Sequence, residues 1–282
     1  MIYELQNNTY KIRVDSFGAE LKSFKLKDEE YLYQGDTPFW HRSSPVLFPN
    51  VGKFKNNNYT YENKNYTLPI HGLARHNEFK IIEQTKSSLS FQLTHDKESL
   101  KHYPFHFELT LTYILSDENL QITYNVTSDE DIYFSLGAHP AFLLKDSINN
   151  SYFNFDKDEQ KDAIGLNLEY GCICDTKDFS LNSNKLKLEK NIFEKDALIF
   201  KNMNSKNVSL NNINNKKSVN VNFDGFEYLA FWAPVGAPFV CIEPWCGIAD
   251  DVNTNHKLEE KVSIINLLKN DVFNKSLYIS LS

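Results

Sequence analysis

Apolar residues recur at every second position through most of this chain, and that period constrains its fold more than any motif does. Tyr10, Ile12 and Val14 alternate with polar neighbours, as do Leu89, Phe91 and Leu93. Phe105, Phe107, Leu109 and Leu111 mark one long strand and Leu120, Ile122, Tyr124 and Val126 the next. Ser116-Asp117-Glu118-Asn119 forms a hairpin-type turn between them. Val219, Val221 and Phe223, then Leu277, Ile279 and Leu281, repeat the pattern near the C-terminus. Successive strand side chains point to opposite faces, so alternation predicts sheets with one face in a core and one in water, which are antiparallel. Helical periodicity is nearly absent, and strands never alternate with ten-residue helices, which excludes a doubly wound or barrel α/β fold. The expectation is an all-β protein, one large antiparallel β-sandwich formed as a single domain by residues 1–282. Three segments read differently. Residues 156–162 are charged all round and read as a loop or single turn. Residues 201–217, rich in Asn, Lys and Ser, read as an exposed excursion between strands. Residues 256–268 suit a short helix or, over 263–267, a strand.

Composition narrows the partners. The 282 residues are 41% hydrophobic and 24% charged, enough to bury a large core. The net charge is −7 and the pI about 5.6, so no basic surface invites nucleic acid or anionic lipid. A small neutral ligand such as a sugar suits this balance better than a polyanion. No apolar run approaches the ~18 residues of a membrane span, and the start, Met1-Ile2-Tyr3-Glu4-Leu5, lacks the pattern of an export signal. Cys172, Cys174, Cys241 and Cys246 match neither a zinc knuckle nor a redox pair, and read as reduced thiols of a cytoplasmic protein. His102 and His106 have a zinc-like spacing, but Pro104 stands between them, which argues against a metal there. Metal, phosphate-loop and dinucleotide motifs are all missing, so no cofactor is expected.

Three short segments carry the candidate chemistry: Ile70-His71-Gly72-Leu73-Ala74-Arg75, Gly137-Ala138-His139-Pro140-Ala141-Phe142 and Ile242-Glu243-Pro244-Trp245-Cys246-Gly247. His139 and Glu243 each precede a proline, which excludes the helical region for the residue before it. Both side chains should therefore project from extended backbone. Glu243 closes the apolar run Phe239-Val240-Cys241-Ile242, where a carboxylate is costly unless paired or used. Pro244 and Gly247 then turn the chain. An imidazole titrating near neutrality and a carboxylate suffice for metal-free proton exchange. His71 and Arg75, four residues apart, suit sugar hydroxyls or a phosphate, and Gly72 allows positive φ or close backbone approach. Trp40, Trp232 and Trp245 are core aromatics, at least one of them a platform for the apolar face of a pyranose.

In this order, the segments resemble the aldose 1-epimerase (galactose mutarotase) family, and within it the bacterial LacX-type branch. The likeness runs over nearly the whole chain, from Gly18-Ala19-Glu20-Leu21 and Pro45-Val46-Leu47-Phe48-Pro49 to Glu243-Pro244-Trp245. It implies a β-supersandwich and cofactor-independent exchange of α- and β-anomers of an aldohexose. Carried over by position, Glu243 matches the catalytic base, His139 the catalytic acid, His71 the second histidine and Asp196 the substrate-binding aspartate. Lys53 stands where the galactose enzymes carry an arginine. The run through Arg75 is similar to relatives acting on hexose 6-phosphates. Lys53, His71, Arg75, Asp196 and Trp245 are thus the expected substrate-binding residues, in a protein that is a monomer or homodimer. The alternatives are a hexose-6-phosphate 1-epimerase and a non-catalytic sugar-binding protein on the same scaffold.

Overall fold

A computed structural model describes residues 1–35, 38–177 and 179–282. Two large sheets dominate. A nine-stranded antiparallel sheet runs in the order Lys185–Lys187, Ser151–Phe155, Asn207–Asn212, Ser218–Asn222, Val272–Leu281, Leu120–Ser128, Phe107–Leu115, Ser88–Thr94, Lys80–Gln84. A six-stranded sheet runs Leu198–Lys201, Tyr228–Trp232, Phe239–Cys246, Leu136–Ala138, Val46–Leu47, with Ala141–Leu143 also paired to Phe239–Cys246. A smaller sheet is built from Ile2–Gln6, Tyr10–Asp15, Glu20–Leu26 and Glu29–Glu30. Among the described residues, no helix is long and apolar enough to cross a membrane.

The alternation produces the wet-faced sheet. Leu120–Ser128 has every second residue buried, and so does its hairpin partner Phe107–Leu115, joined by the expected turn with Leu115 opposite Leu120. The buried faces of the two large sheets meet: Phe153 of the nine-stranded sheet and Phe231 of the six-stranded one have ring centroids 4.2 Å apart. A fully buried side chain of this size stabilises the fold by ~1.5–3 kcal/mol. The six-stranded sheet is covered on both faces, and all eight residues of Phe239–Cys246 are buried. Val240 and Ile242 point into the main core. Phe239, Cys241, Glu243 and Trp245 alternate onto the opposite face.

Two local readings change and one left open is settled. The strand does not turn at Pro244: it continues to Cys246, with Pro244 opposite Leu229. Ile242 N–H donates to Pro140 O. By alternation the donor that Pro244 lacks would lie on that same side, opposite a break in the neighbouring strands, so no ladder bond is lost there. The asparagine-rich stretch 201–217 holds the strand Asn207–Asn212, because Val208 and Leu210 turn inward between polar residues. Within 256–268 there is one 3-10 turn, Leu258–Glu260, followed by the strand Ile265–Leu267.

Candidate active site

The Phe239–Cys246 strand is paired on one side by two successive short strands. Gly137 lies opposite Trp245 and Ala141 opposite Cys241, so the link between those strands, His139-Pro140, falls beside Glu243. This break in the ladder is what aims the imidazole. A side chain at Gly137 would strike Trp245 Cδ1 at 2.5 Å, so only glycine lets the first short strand lie under the indole. His139 Nε2 stands 3.2 Å from Glu243 Oε2, within ion-pair distance. The two groups are misaligned for a hydrogen bond, and both His139 Nδ1 and Glu243 Oε2 are buried without a hydrogen-bond partner.

Burial sets the protonation of the pair. It pushes His139 down to about 3, with the Arg75 charge adding to the effect. It drives Glu243 well above the usual carboxylate range, helped by the Asp196 carboxylate. The pocket therefore favours both groups uncharged.

Above the pair lies a cavity of about 640 Å³, a size common for small-molecule sites. All seven residues singled out in the sequence line it: Lys53, His71, Arg75, His139, Asp196, Glu243 and Trp245. His71 has a φ of 64°, the left-handed region. Its N–H donates to Gly52 O at 2.7 Å, while Gly52 N–H donates to His71 Nδ1 at 3.1 Å. With Nδ1 accepting, the proton of the neutral ring sits on Nε2, which leaves His71 a hydrogen-bond donor. Burial, His139 and Arg75 hold its pKa well below normal, so it stays neutral. Gly72, with φ 73°, brings the backbone so close to Phe48 O that a Cβ would lie 2.4 Å from it.

Asp196 also has positive φ, 83°, in the turn before Leu198–Lys201, and its Oδ1 accepts from Ala197 N–H at 2.8 Å. Its carboxylate lines the cavity, where desolvation raises its pKa against the Ala197 hydrogen bond. Arg75 sits on the single 3-10 turn Ala74–His76 and is held at about 10 by burial and by Arg42. The nearby Glu20 carboxylate is already taken by Arg42, Lys22 and the N–H groups of Ser43 and Ser44. Among the described residues neither Arg75 nor Lys53 has a carboxylate partner of its own. Trp245 is buried in the floor, and its indole N–H is unpaired.

The platform next to the pair is a different tryptophan. Trp40 stacks on His139 with centroids 4.8 Å apart and planes 29° apart, and Trp232 meets His139 edge-on at 5.9 Å. Both line the cavity. Nothing in the local sequence distinguishes these two rings from Trp245, because their position depends on partners distant in sequence: Trp232 ends the strand Tyr228–Trp232, paired with Phe239–Cys246. His102 and His106 do not share a site: the first contacts Thr67 O, the second Asp129.

The sequence pattern of the Aldose 1-epimerase family matches residues 1–271. The chain belongs to that family. Its similarity to the plasmid-encoded protein LacX of Lactococcus lactis subsp. lactis is 29% identity, covering 100% of this chain and 99% of the relative. A galactose mutarotase related enzyme from Lactobacillus acidophilus superposes with a TM-score of 0.95 at 32% identity, covering 100% and 97% of the two chains. A galactose mutarotase-like protein from Lactobacillus casei gives 0.93 at 27%, with complete coverage of both. The galactose 1-epimerase of Lactobacillus acidophilus NCFM shares the fold, at a TM-score of 0.76 and 16% identity over 100% of this chain and 94% of that one. The aldose 1-epimerase family and these likenesses support a mutarotase-type function.

Proposed function

We propose that this cavity interconverts the α- and β-anomers of an aldohexose by opening and reclosing the pyranose ring. The contact between His139 and Glu243 on the floor of a sugar-sized cavity carries this reading. Glu243, as carboxylate, removes the proton from the C1 hydroxyl while protonated His139 delivers one to the ring oxygen, and the C1–O5 bond breaks. Rotation about C1–C2 presents the other carbonyl face, and the two transfers reverse. Ring opening converts the ionised pair into the uncharged pair. Burial disfavours the ionised pair, so forming it costs free energy that is returned as the ring opens and must be supplied again as it closes. His71 Nε2–H and the Asp196 carboxylate hold ring hydroxyls and fix the reacting centre. Each proton transfer is worth ~10²–10⁴ in rate.

Exchange of magnetisation between anomeric signals of glucose or galactose measures the activity directly. Glu243→Gln should lose ~10²–10⁴ of the catalysed exchange while still binding sugar. Exchange at the wild-type rate in that variant would remove Glu243 from the base role. A second reading, a phosphorylated aldohexose as substrate, is favoured by one observation: Arg75 and Lys53 line the cavity without carboxylate partners. Comparing exchange on glucose and glucose 6-phosphate separates the two readings.

A further inference from the structure

Cys241 lies two positions before Glu243 on the same strand, so both side chains leave the same face of the sheet. His139 reaches that face through the break in the neighbouring strands. The ligand-type atoms of His139, Cys241 and Glu243 all lie within 4.8 Å of one another, and all three residues are buried. Two of them carry polar atoms with no hydrogen-bond partner, His139 Nδ1 and Glu243 Oε2. His139 and Glu243 line an open cavity, which supplies an entry path to them, and Cys241 lies buried beside the pair.

We propose that His139, Cys241 and Glu243 form a site for one divalent cation of the zinc type, and that its occupancy silences the proton pair. Imidazole, thiolate and carboxylate are the three ligand classes zinc takes, with bonds of ~2.0–2.3 Å. In a tetrahedral site those bonds set ligand atoms ~3.3–3.8 Å apart. The 3.2 Å between His139 Nε2 and Glu243 Oε2 is already close to that edge length. Cys241 Sγ completes the face by a small side-chain movement. Three protein ligands leave the fourth position open toward the cavity. The charges balance: the thiol proton and the proton shared by the histidine–glutamate pair leave to solvent, and the resulting thiolate and carboxylate neutralise the dication. His139 Nδ1 has no acceptor to brace the ring, so the site is weaker than a structural zinc centre.

The site stands on this geometry alone; only its inhibitory consequence rests on the epimerase reading. The test titrates metal-free protein with Cd²⁺, following the ultraviolet sulfur-to-cadmium charge-transfer band, and with Zn²⁺ by calorimetry. A His106→Ala background removes the largely exposed His106, Asp129, Glu130 group, the second cluster of this kind among the described residues. The expected result is one equivalent of Cd²⁺ with a thiolate band that survives Cys172→Ser and disappears in Cys241→Ser. Zn²⁺ affinity should fall at least ~10-fold in Cys241→Ser, the scale seen even when supporting groups of a metal site are removed. Absence of the band, its persistence in Cys241→Ser, or unchanged Zn²⁺ affinity would overturn the proposal. Should Cys241→Ser not fold, Glu243→Gln must weaken Cd²⁺ at least tenfold, and equal affinity there counts against the site. Zinc-saturated protein exchanging anomers at the metal-free rate would refute the inhibition. Absence of exchange in metal-free protein would refute the epimerase reading and leave the metal site standing.

Discussion

The two large sheets divide the labour of this molecule. The nine-stranded sheet keeps one face in the core and the other toward water, as in Leu120–Ser128, and contributes nothing to the walls of the cavity. The six-stranded sheet is covered on both faces, and its Phe239–Cys246 strand holds a buried carboxylate, which among the described residues no strand of the other sheet does. One sheet supplies the apolar burial that makes the fold stable. The other holds a buried Glu243 and His139, each costly to charge, and under the proposed function that cost is tied to their exchange of protons.

Substitutions that separate stability from exchange test this division. The largest expected effect is Leu111→Ala, in the middle of the nine-stranded sheet and fully buried. It should cost ~2–5 kcal/mol in denaturant unfolding, with the anomer exchange rate per folded molecule unchanged. A slower rate in folded Leu111→Ala would show that the two sheets do not act separately. In contrast, Glu243→Gln should lose exchange at little cost in stability. Next in size is Arg75→Ala. If the substrate is phosphorylated, losing a hydrogen bond to a charged group weakens handling of that sugar by ~10–100-fold and leaves the free sugar almost unaffected. Equal effects on both sugars would assign Arg75 to ring hydroxyls instead.

The smallest effect concerns Lys261, buried behind the six-stranded sheet with its ammonium donating to Ile248 O. Burial lowers its pKa from 10.5 to about 8, against the pull of Asp250 and Cys172. Between those two values the unfolded chain holds a proton that the folded one has released, so stability rises with pH across that window. Below about 8 both states are protonated and the penalty persists in full. Lys261→Met should flatten the rise between pH 8 and 10.5 in thermal or urea unfolding. An identical slope in wild type and variant would mean that Lys261 does not titrate there.

Much of the wet-faced sheet was legible in the sequence, because alternation is a local property and the hairpin at 116–119 needs only its own residues. That His139 and Glu243 belong together was legible from types and punctuation: an imidazole and a carboxylate, each ahead of a proline, at the ends of apolar runs. What escaped depends on distant partners. That the strand continues through Pro244 could not be read locally, since it requires a neighbour with a break opposite the missing donor. The strand at Asn207–Asn212 was hidden by its asparagines, although Val208 and Leu210 keep the period. Trp40 has no local mark at all; only the folded chain brings it onto His139.

The break beside Glu243 also protects the spacing of the pair. Both short strands flanking His139-Pro140 are zipped to the same partner, one on each side of Glu243. Pulling the imidazole away from the carboxylate means unzipping one of those ladders, so their separation is guarded by the cooperativity of the sheet rather than by any bond between them.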